Sequence, residues 1–89
     1  KGISVGEKSV AKIKIANISN SNIGIASKDS STTDVTNSNI VNTKICVTAY
    51  KKKQEFTGGI LKIINSHCKN YEKKMSIDKN SKIIFVKEL

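Results

Sequence analysis

The sequence repeats itself with a fixed period, and the stretch Ile23–Ser31 (IGIASKDSS) shows it best. This stretch has a degenerate counterpart one period earlier, at Lys1–Ser9, and another one period later, at Ile45–Lys53. A fixed period of about 20–50 residues is typical of solenoids, in which each repeat packs only against its neighbours. We therefore expect residues 1–89 to form a single domain that is a piece of a longer chain.

Residues at matching positions in successive repeats form what we call columns. Three columns are apolar, namely Ile3, Ile25, Val47 and Met75, then Ile13, Val35, Ile63 and Phe85, then Ile18, Ile40 and Cys68. Stacked side chains of this kind would fill a narrow interior. A fourth column contains Asn20, Asn42 and Asn70. These amides are predicted to hydrogen-bond to one another at a turn, which is a structural role.

The repeats show strand patterns and no helical period. Apolar and Lys residues alternate from Ala11 to Ile15, as in a half-buried strand. A leucine-rich repeat would need Asn where Ile18 stands, and the hexapeptide period of a left-handed β-helix is absent. The sequence therefore predicts an all-β fold, a right-handed parallel β-helix of about three and a half to four coils of ~22 residues, with one insertion at a corner.

The insertion lies between Lys51 and Gly59 (KKKQEFTGG), where six extra residues enter the repeat. Loops extruded from a regular scaffold are the usual place for binding residues. The predicted binding residues are Lys51, Lys52, Lys53, Tyr50, Phe56, Lys73 and Lys74. Lysines attract anions, and aromatic rings offer faces to sugars. The alternative is a solvated loop in which Phe56 only covers apolar surface.

The formal net charge is +9, all of the positive charge coming from Lys. This charge favours an anionic partner, and we expect anionic polysaccharide rather than nucleic acid. The competing interpretation is that Lys keeps solvent-facing strands soluble and discourages edge pairing. Apolar residues at Ile64, Ile84 and Val86 suggest self-association near the C-terminal end. No apolar run is long enough for a transmembrane segment.

Catalytic residues, metal ligands and cofactors are not predicted. Glu7 and Asp29 are the only carboxylates that stack at one corner, so they are weak candidates for a cation site. Cys46 and Cys68 are one period apart, but the alignment assigns Cys46 to an outward column and Cys68 to an inward one. A disulfide needs convergent Cβ atoms. We therefore expect two free thiols, which favours a reducing compartment.

Several strings resemble a known family. The cadence Asn-Ser-x-Ile-x-Asn at Asn37–Asn42, with Gly-Ile at Gly24–Ile25, resembles the right-handed parallel β-helix repeats of the pectin-lyase-like superfamily. The strings GISVGEKS, GIASKDSS and AYKKKQEF are similar to β-helix segments of large bacterial surface or spore-coat-type proteins. The resemblance covers nearly the whole chain and implies an extracellular or cell-surface location.

That superfamily includes polysaccharide lyases and hydrolases, carbohydrate-binding modules and passive adhesin shafts, so fold analogy does not choose a function. We expect a non-catalytic β-helical module of a bacterial extracytoplasmic protein that binds anionic polysaccharide through a basic loop and face. The alternatives are a shaft fragment of a polysaccharide lyase or hydrolase, and a purely structural adhesin or coat spacer.

Overall fold

The computed structural model describes residues 2–87, and residues 1, 88 and 89 of the predicted domain lie outside the described residues. The described chain contains eight strands and no helix, which confirms the all-β class. The strands are β1 (Ile3–Val5), β2 (Val10–Ile13), β3 (Asn17–Lys28), β4 (Thr32–Thr36), β5 (Asn39–Tyr50), β6 (Ile60–Ile64), β7 (His67–Ile77) and β8 (Lys82–Val86).

The strands form two sheets, and the chain alternates between them. One sheet has the order β1-β3-β5-β7 and the other β2-β4-β6-β8. Every neighbouring pair in both sheets is parallel. Parallel neighbours need a crossover connection, and here a strand of the opposite sheet supplies it. One sequence repeat therefore contributes one strand to each sheet.

The predicted alignment of the repeats is confirmed by the strand register. Ile25 pairs with Ile3 on one side and with Val47 on the other, and Val47 pairs in turn with Met75. The second apolar column pairs in the same way from Ile13 onward. Side chains of one column thus lie on adjacent strands, about 4.8 Å apart.

The apolar columns form the core. Ile25, Val35 and Val47 are completely buried, and Ile40 and Ile63 are nearly so. β-branched side chains suit a pleated surface, and each full burial contributes about 1.5–3 kcal/mol. The middle repeats are buried best because they have neighbours on both sides. In the last described repeat, Met75 and Phe85 of the same columns remain exposed.

The Asn column forms the predicted ladder, but on the surface. Asn42 Nδ2 donates to Asn20 Oδ1 at 3.2 Å, and Asn70 Nδ2 donates to Asn42 Oδ1. All three residues have left-handed backbone conformations, with φ of 57°, 58° and 55°. Asn adopts this conformation more readily than most residues. Each ladder residue therefore turns its strand, and the long strands β3, β5 and β7 are bent there.

The prediction of two free thiols is wrong, because Cys46 and Cys68 form a disulfide with a Cα–Cα distance of 6.1 Å. Cys46 occupies the same column as Gly24, since the residues on either side of them pair in register. A Cβ atom at Gly24 would lie 2.5 Å from Cγ2 of Ile40. The column of Cys46 thus faces the column of Ile40 and Cys68, and Cys46 is fully buried.

The apolar residues predicted to self-associate lie on β6 and β8. Ile64 pairs with Val86 in the sheet, and Ile84 is 43% exposed. Self-association of this face stays a prediction. Among residues 2–87, no helix is long and apolar enough to cross a membrane.

Candidate functional site

The connection between β5 and β6, residues 51–59, is the longest between described strands. We call it the β5–β6 loop. At the equivalent corner, β3 and β4 are joined by Asp29–Ser31 alone. The loop raises the sequence separation between paired residues from 22 for β2 and β4 to 28 for β4 and β6, and it carries three consecutive lysines. The conformation of the loop therefore decides where the side chains of these lysines lie.

Two carboxylates of other repeats hold the start of the loop. Asp29 Oδ1 accepts hydrogen bonds from the backbone N–H groups of Lys52 and Lys53 at 2.7 and 3.0 Å. Asp78 Oδ2 accepts one from the N–H of Lys51 at 2.9 Å. Asp29 itself is only 1% exposed. The backbone amides of Lys51, Lys52 and Lys53 are therefore fixed by buried or half-buried carboxylates, and these bonds do not involve the lysine side chains.

The rest of the loop is fixed by its backbone as well. Three hydrogen bonds join Ser30 and Thr57. The Ser30 N–H donates to the Thr57 carbonyl at 2.9 Å, the Thr57 N–H donates to Ser30 Oγ at 2.8 Å, and the two side-chain hydroxyls lie 2.8 Å apart. Phe56 N–H donates to the Lys53 carbonyl at 3.2 Å and closes a turn. Gly59 N–H donates to Ser81 Oγ at 3.0 Å. The loop is thus tied to both neighbouring corners.

Two of the predicted binding side chains contact the first repeat. Lys53 Nζ forms an ion pair with Glu7, and this hydrogen bond raises the pKa of Lys53. Lys8 Nζ lies 5.9 Å from the centroid of the Phe56 ring, within cation–π range. The loop therefore reaches across the second repeat to the first. Lys52 is exposed and Lys51 is half-buried.

The structure separates Lys73 and Lys74 from the loop. Lys73 pairs with Ile45, which lies five residues before Tyr50 on β5, or roughly 17 Å along the strand. Lys74 Nζ instead lies 4.6 Å from the centroid of the Phe85 ring. Tyr50 is in register with Lys28 at the end of the strand that leads into the loop. Of the five lysines predicted to bind, only Lys51, Lys52 and Lys53 therefore lie at the loop, and Lys8 of the first repeat also approaches it at Phe56.

Hydrogen bonds lower the pKa values of both anchoring carboxyl groups. The pKa of Asp29 is lowered by the backbone N–H groups of Lys52 and Lys53, which outweigh the effect of burial. At Asp78 burial raises the pKa, but donors from Lys51, Ser81 and Asn80 together outweigh it and the net direction is downward. Both groups bind the loop in the charged form.

Acid should release the loop before the sheets unfold. A carboxyl group whose folded-state pKa is lowered stabilises the fold above its unfolded pKa, and this stability is lost as the pH falls through the folded value. We expect the amide resonances of Lys52 and Lys53 to titrate with a midpoint below 3.8, the ordinary value for Asp29. Two-dimensional NMR across pH 2–6 measures this. A midpoint at or above the ordinary value would contradict it, and Asp29→Asn should abolish the transition.

The carboxylates considered as weak metal ligands have other partners. Asp29 binds loop amides, and Glu7 binds Lys53. Within residues 2–87, no group of three His, Cys, Asp or Glu side chains could hold a metal ion. The sequence indicated only that Asp29 stacks with Glu7 at a corner. It did not indicate that the donors lie 23 and 24 residues away, and it missed Asp78 as the second anchor.

Comparison with family models, with curated proteins and with solved structures found no match.

Proposed function

We propose that the protein is a non-catalytic, right-handed parallel β-helical module that binds anionic polysaccharide through the lysines of the β5–β6 loop. The observation that carries the proposal is the fixed backbone of Lys51, Lys52 and Lys53, whose three N–H groups are bound by Asp29 and Asp78. A preorganised loop loses less entropy on binding than a flexible one. Three lysines are thereby held together at one corner.

The architecture supports a helical module. Successive strands alternate between two parallel sheets in register, and the two linked ladder amides of the first repeats are 22 residues apart. After each repeat the chain returns to the same sheet and forms a strand parallel to the previous one there. This path matches the coils of a β-helix. Crossover connections between parallel strands are right-handed in the great majority of folds. Both arguments favour the predicted fold.

The disulfide supports an extracytoplasmic location. Cys46 and Cys68 tie β5 to β7 through the buried interior. Disulfides form and persist in oxidising environments and are rare in the cytosol. A bacterial surface or secreted protein meets acidic polysaccharides there, and a net charge of +9 raises the rate of encounter with them.

The test replaces Lys51, Lys52 and Lys53 together by Ser. We expect the wild-type protein to be retained on immobilised polygalacturonate and eluted by salt, because exposed charge pairs are screened as ionic strength rises. The triple variant should bind at least tenfold more weakly, measured as the apparent Kd by biolayer interferometry at low salt. The hydrogen bonds that fix the loop use backbone N–H groups, so we expect the variant to keep its fold and to lose only the exposed Lys53–Glu7 ion pair.

The matched control replaces Lys12, Lys14 and Lys62, which are exposed lysines outside the loop, by Ser. Both triple variants carry the same net charge. If both lose affinity equally, binding is a non-specific effect of net charge and the proposed site is wrong. If the wild-type protein itself shows no salt-sensitive retention, the protein is better described as a structural spacer.

A further inference from the structure

A groove crosses the surface where the three long strands bend. Its lining consists of three consecutive residues from each of β3, β5 and β7, beginning at Asn20, Asn42 and Asn70, and its volume is about 470 Å³. Because these residues occupy matching positions on neighbouring strands, the groove follows the direction in which the strands stack. The left-handed conformation of each Asn bends its strand there.

The amide ladder forms part of this groove and retains unused hydrogen-bonding groups. A primary amide has two N–H donors and an oxygen with two lone pairs. Asn42 uses one N–H on Asn20, and Asn70 uses one N–H on Asn42. All three residues are exposed. The groove therefore offers a row of donors and acceptors that repeats at the strand spacing of about 4.8 Å.

The other lining residues are polar, and their charges cancel. Lys44 and Glu72 are the charged residues of the lining, on a protein whose formal net charge is +9. Tyr71 is 41% exposed. Thr43 is only 6% exposed, and its buried hydroxyl, which has no hydrogen-bond partner among residues 2–87, is out of reach of a ligand in the groove. The lining thus combines amides, hydroxyls and one aromatic ring, and it carries no net charge. Such a surface suits an uncharged ligand that is rich in hydroxyl groups.

We propose that this groove binds an uncharged glycan chain. The Asn amides would hydrogen-bond the hydroxyls of successive sugar units, and the Tyr71 ring would cover an apolar sugar face at one end. The groove is distinct from the β5–β6 loop, because Asn42 precedes Tyr50 by eight residues of β5, or roughly 26 Å along the strand. The inference therefore does not rest on the lysine site.

The experiment is affinity electrophoresis in native gels that contain dextran, xylan, galactomannan or hydroxyethylcellulose. The wild-type protein should be retarded in at least one of the four gels. Tyr71→Ala should weaken that affinity about tenfold, because an aromatic contact of this kind contributes on that scale. Tyr71 is 41% exposed and does not belong to the buried core, so its replacement should leave the melting temperature nearly unchanged.

A second pair of variants tests the amide row. Asn42→Gly removes the amide and permits the left-handed conformation at no steric cost, and it should also weaken the retardation. Asn37→Gly makes the same change at another exposed Asn with positive φ, outside the groove, and should have no effect. The triple lysine variant of the loop should be retarded like the wild-type protein.

Three results would overturn the inference. The first is a wild-type protein that migrates freely in all four gels. The second is unchanged retardation of both Tyr71→Ala and Asn42→Gly. The third is equal loss of retardation in Asn37→Gly, which would show a general effect of replacing Asn. None of these results bears on binding of anionic polysaccharide by the loop, so the two proposals fail separately.

Discussion

Loss of the Cys46–Cys68 disulfide is expected to lower the free energy of unfolding by about 3 kcal/mol. The bond closes a loop with a sequence separation of 22 residues, which restricts the unfolded chain and so disfavours unfolding. It also ties β5 to β7 through a cysteine that is fully buried. Because small domains have only about 5–15 kcal/mol of stability, this is a large share. Urea unfolding of Cys46→Ala/Cys68→Ala against the wild-type protein measures it.

Thiol titration distinguishes the disulfide from two free thiols. The wild-type protein, denatured without reductant, should show no free thiol, and after reduction it should show two. The double Ala variant should unfold at the same urea concentration with and without reductant, whereas the wild-type midpoint should fall when reductant is added. Two titratable thiols in the denatured, unreduced protein would show that the bond is absent.

Replacement of Gly59 by Ala is expected to cost about 3 kcal/mol, at the upper end for an overpacked site. Gly59 lies at the end of the β5–β6 loop, and its Cα faces the backbone of β3. An added Cβ would overlap the carbonyl group of Ser27 and lie 2.9 Å from the backbone nitrogen of Lys28. These are backbone atoms of an interior strand, so relief of the clash requires β3 and the loop to move apart.

Gly6→Ala is the matched control. A Cβ at Gly6 would also meet Lys28, but at its side chain, with Cε at 3.0 Å. A flexible side chain can rotate away, so we expect a change within about 0.5 kcal/mol. Neither glycine has a positive φ, which excludes backbone strain as the cause of any difference. Thermal unfolding of both variants measures the effect, and equal melting temperatures would contradict the prediction.

The period of the sequence was sufficient to predict which residues become neighbours between strands. The alignment of Ile25 with Ile3 and Val47, the ladder of Asn20 with Asn42, and the site of the loop all follow from spacing alone. The reason is geometric. In a stack of parallel strands, matching residues of successive repeats lie side by side, so the period specifies the register.

Spacing did not predict contacts within one repeat. Simple alternation along a strand placed Cys46 on the outside, but the left-handed Asn42 bends β5, and the column of Cys46 faces that of Ile40 and Cys68. Ala26 and Thr48, which lie two residues beyond Gly24 and Cys46 on the same two strands, are buried as well. The direction of a side chain beyond a bend depends on the backbone angles at the bend, which a count of residues does not contain.

The conformation of the β5–β6 loop was likewise decided by the tertiary structure. The sequence showed three lysines in an insertion, and it suggested a solvated loop or a binding surface. Only the folded chain brings Asp29 and Asp78 to the amides of Lys51, Lys52 and Lys53. The sequence by itself thus determined the all-β class, the register and the place of the loop, because these depend on the repeat. The disulfide and the loop anchors join residues at non-matching positions of the repeat, which approach one another only when the strands bend and the corners pack.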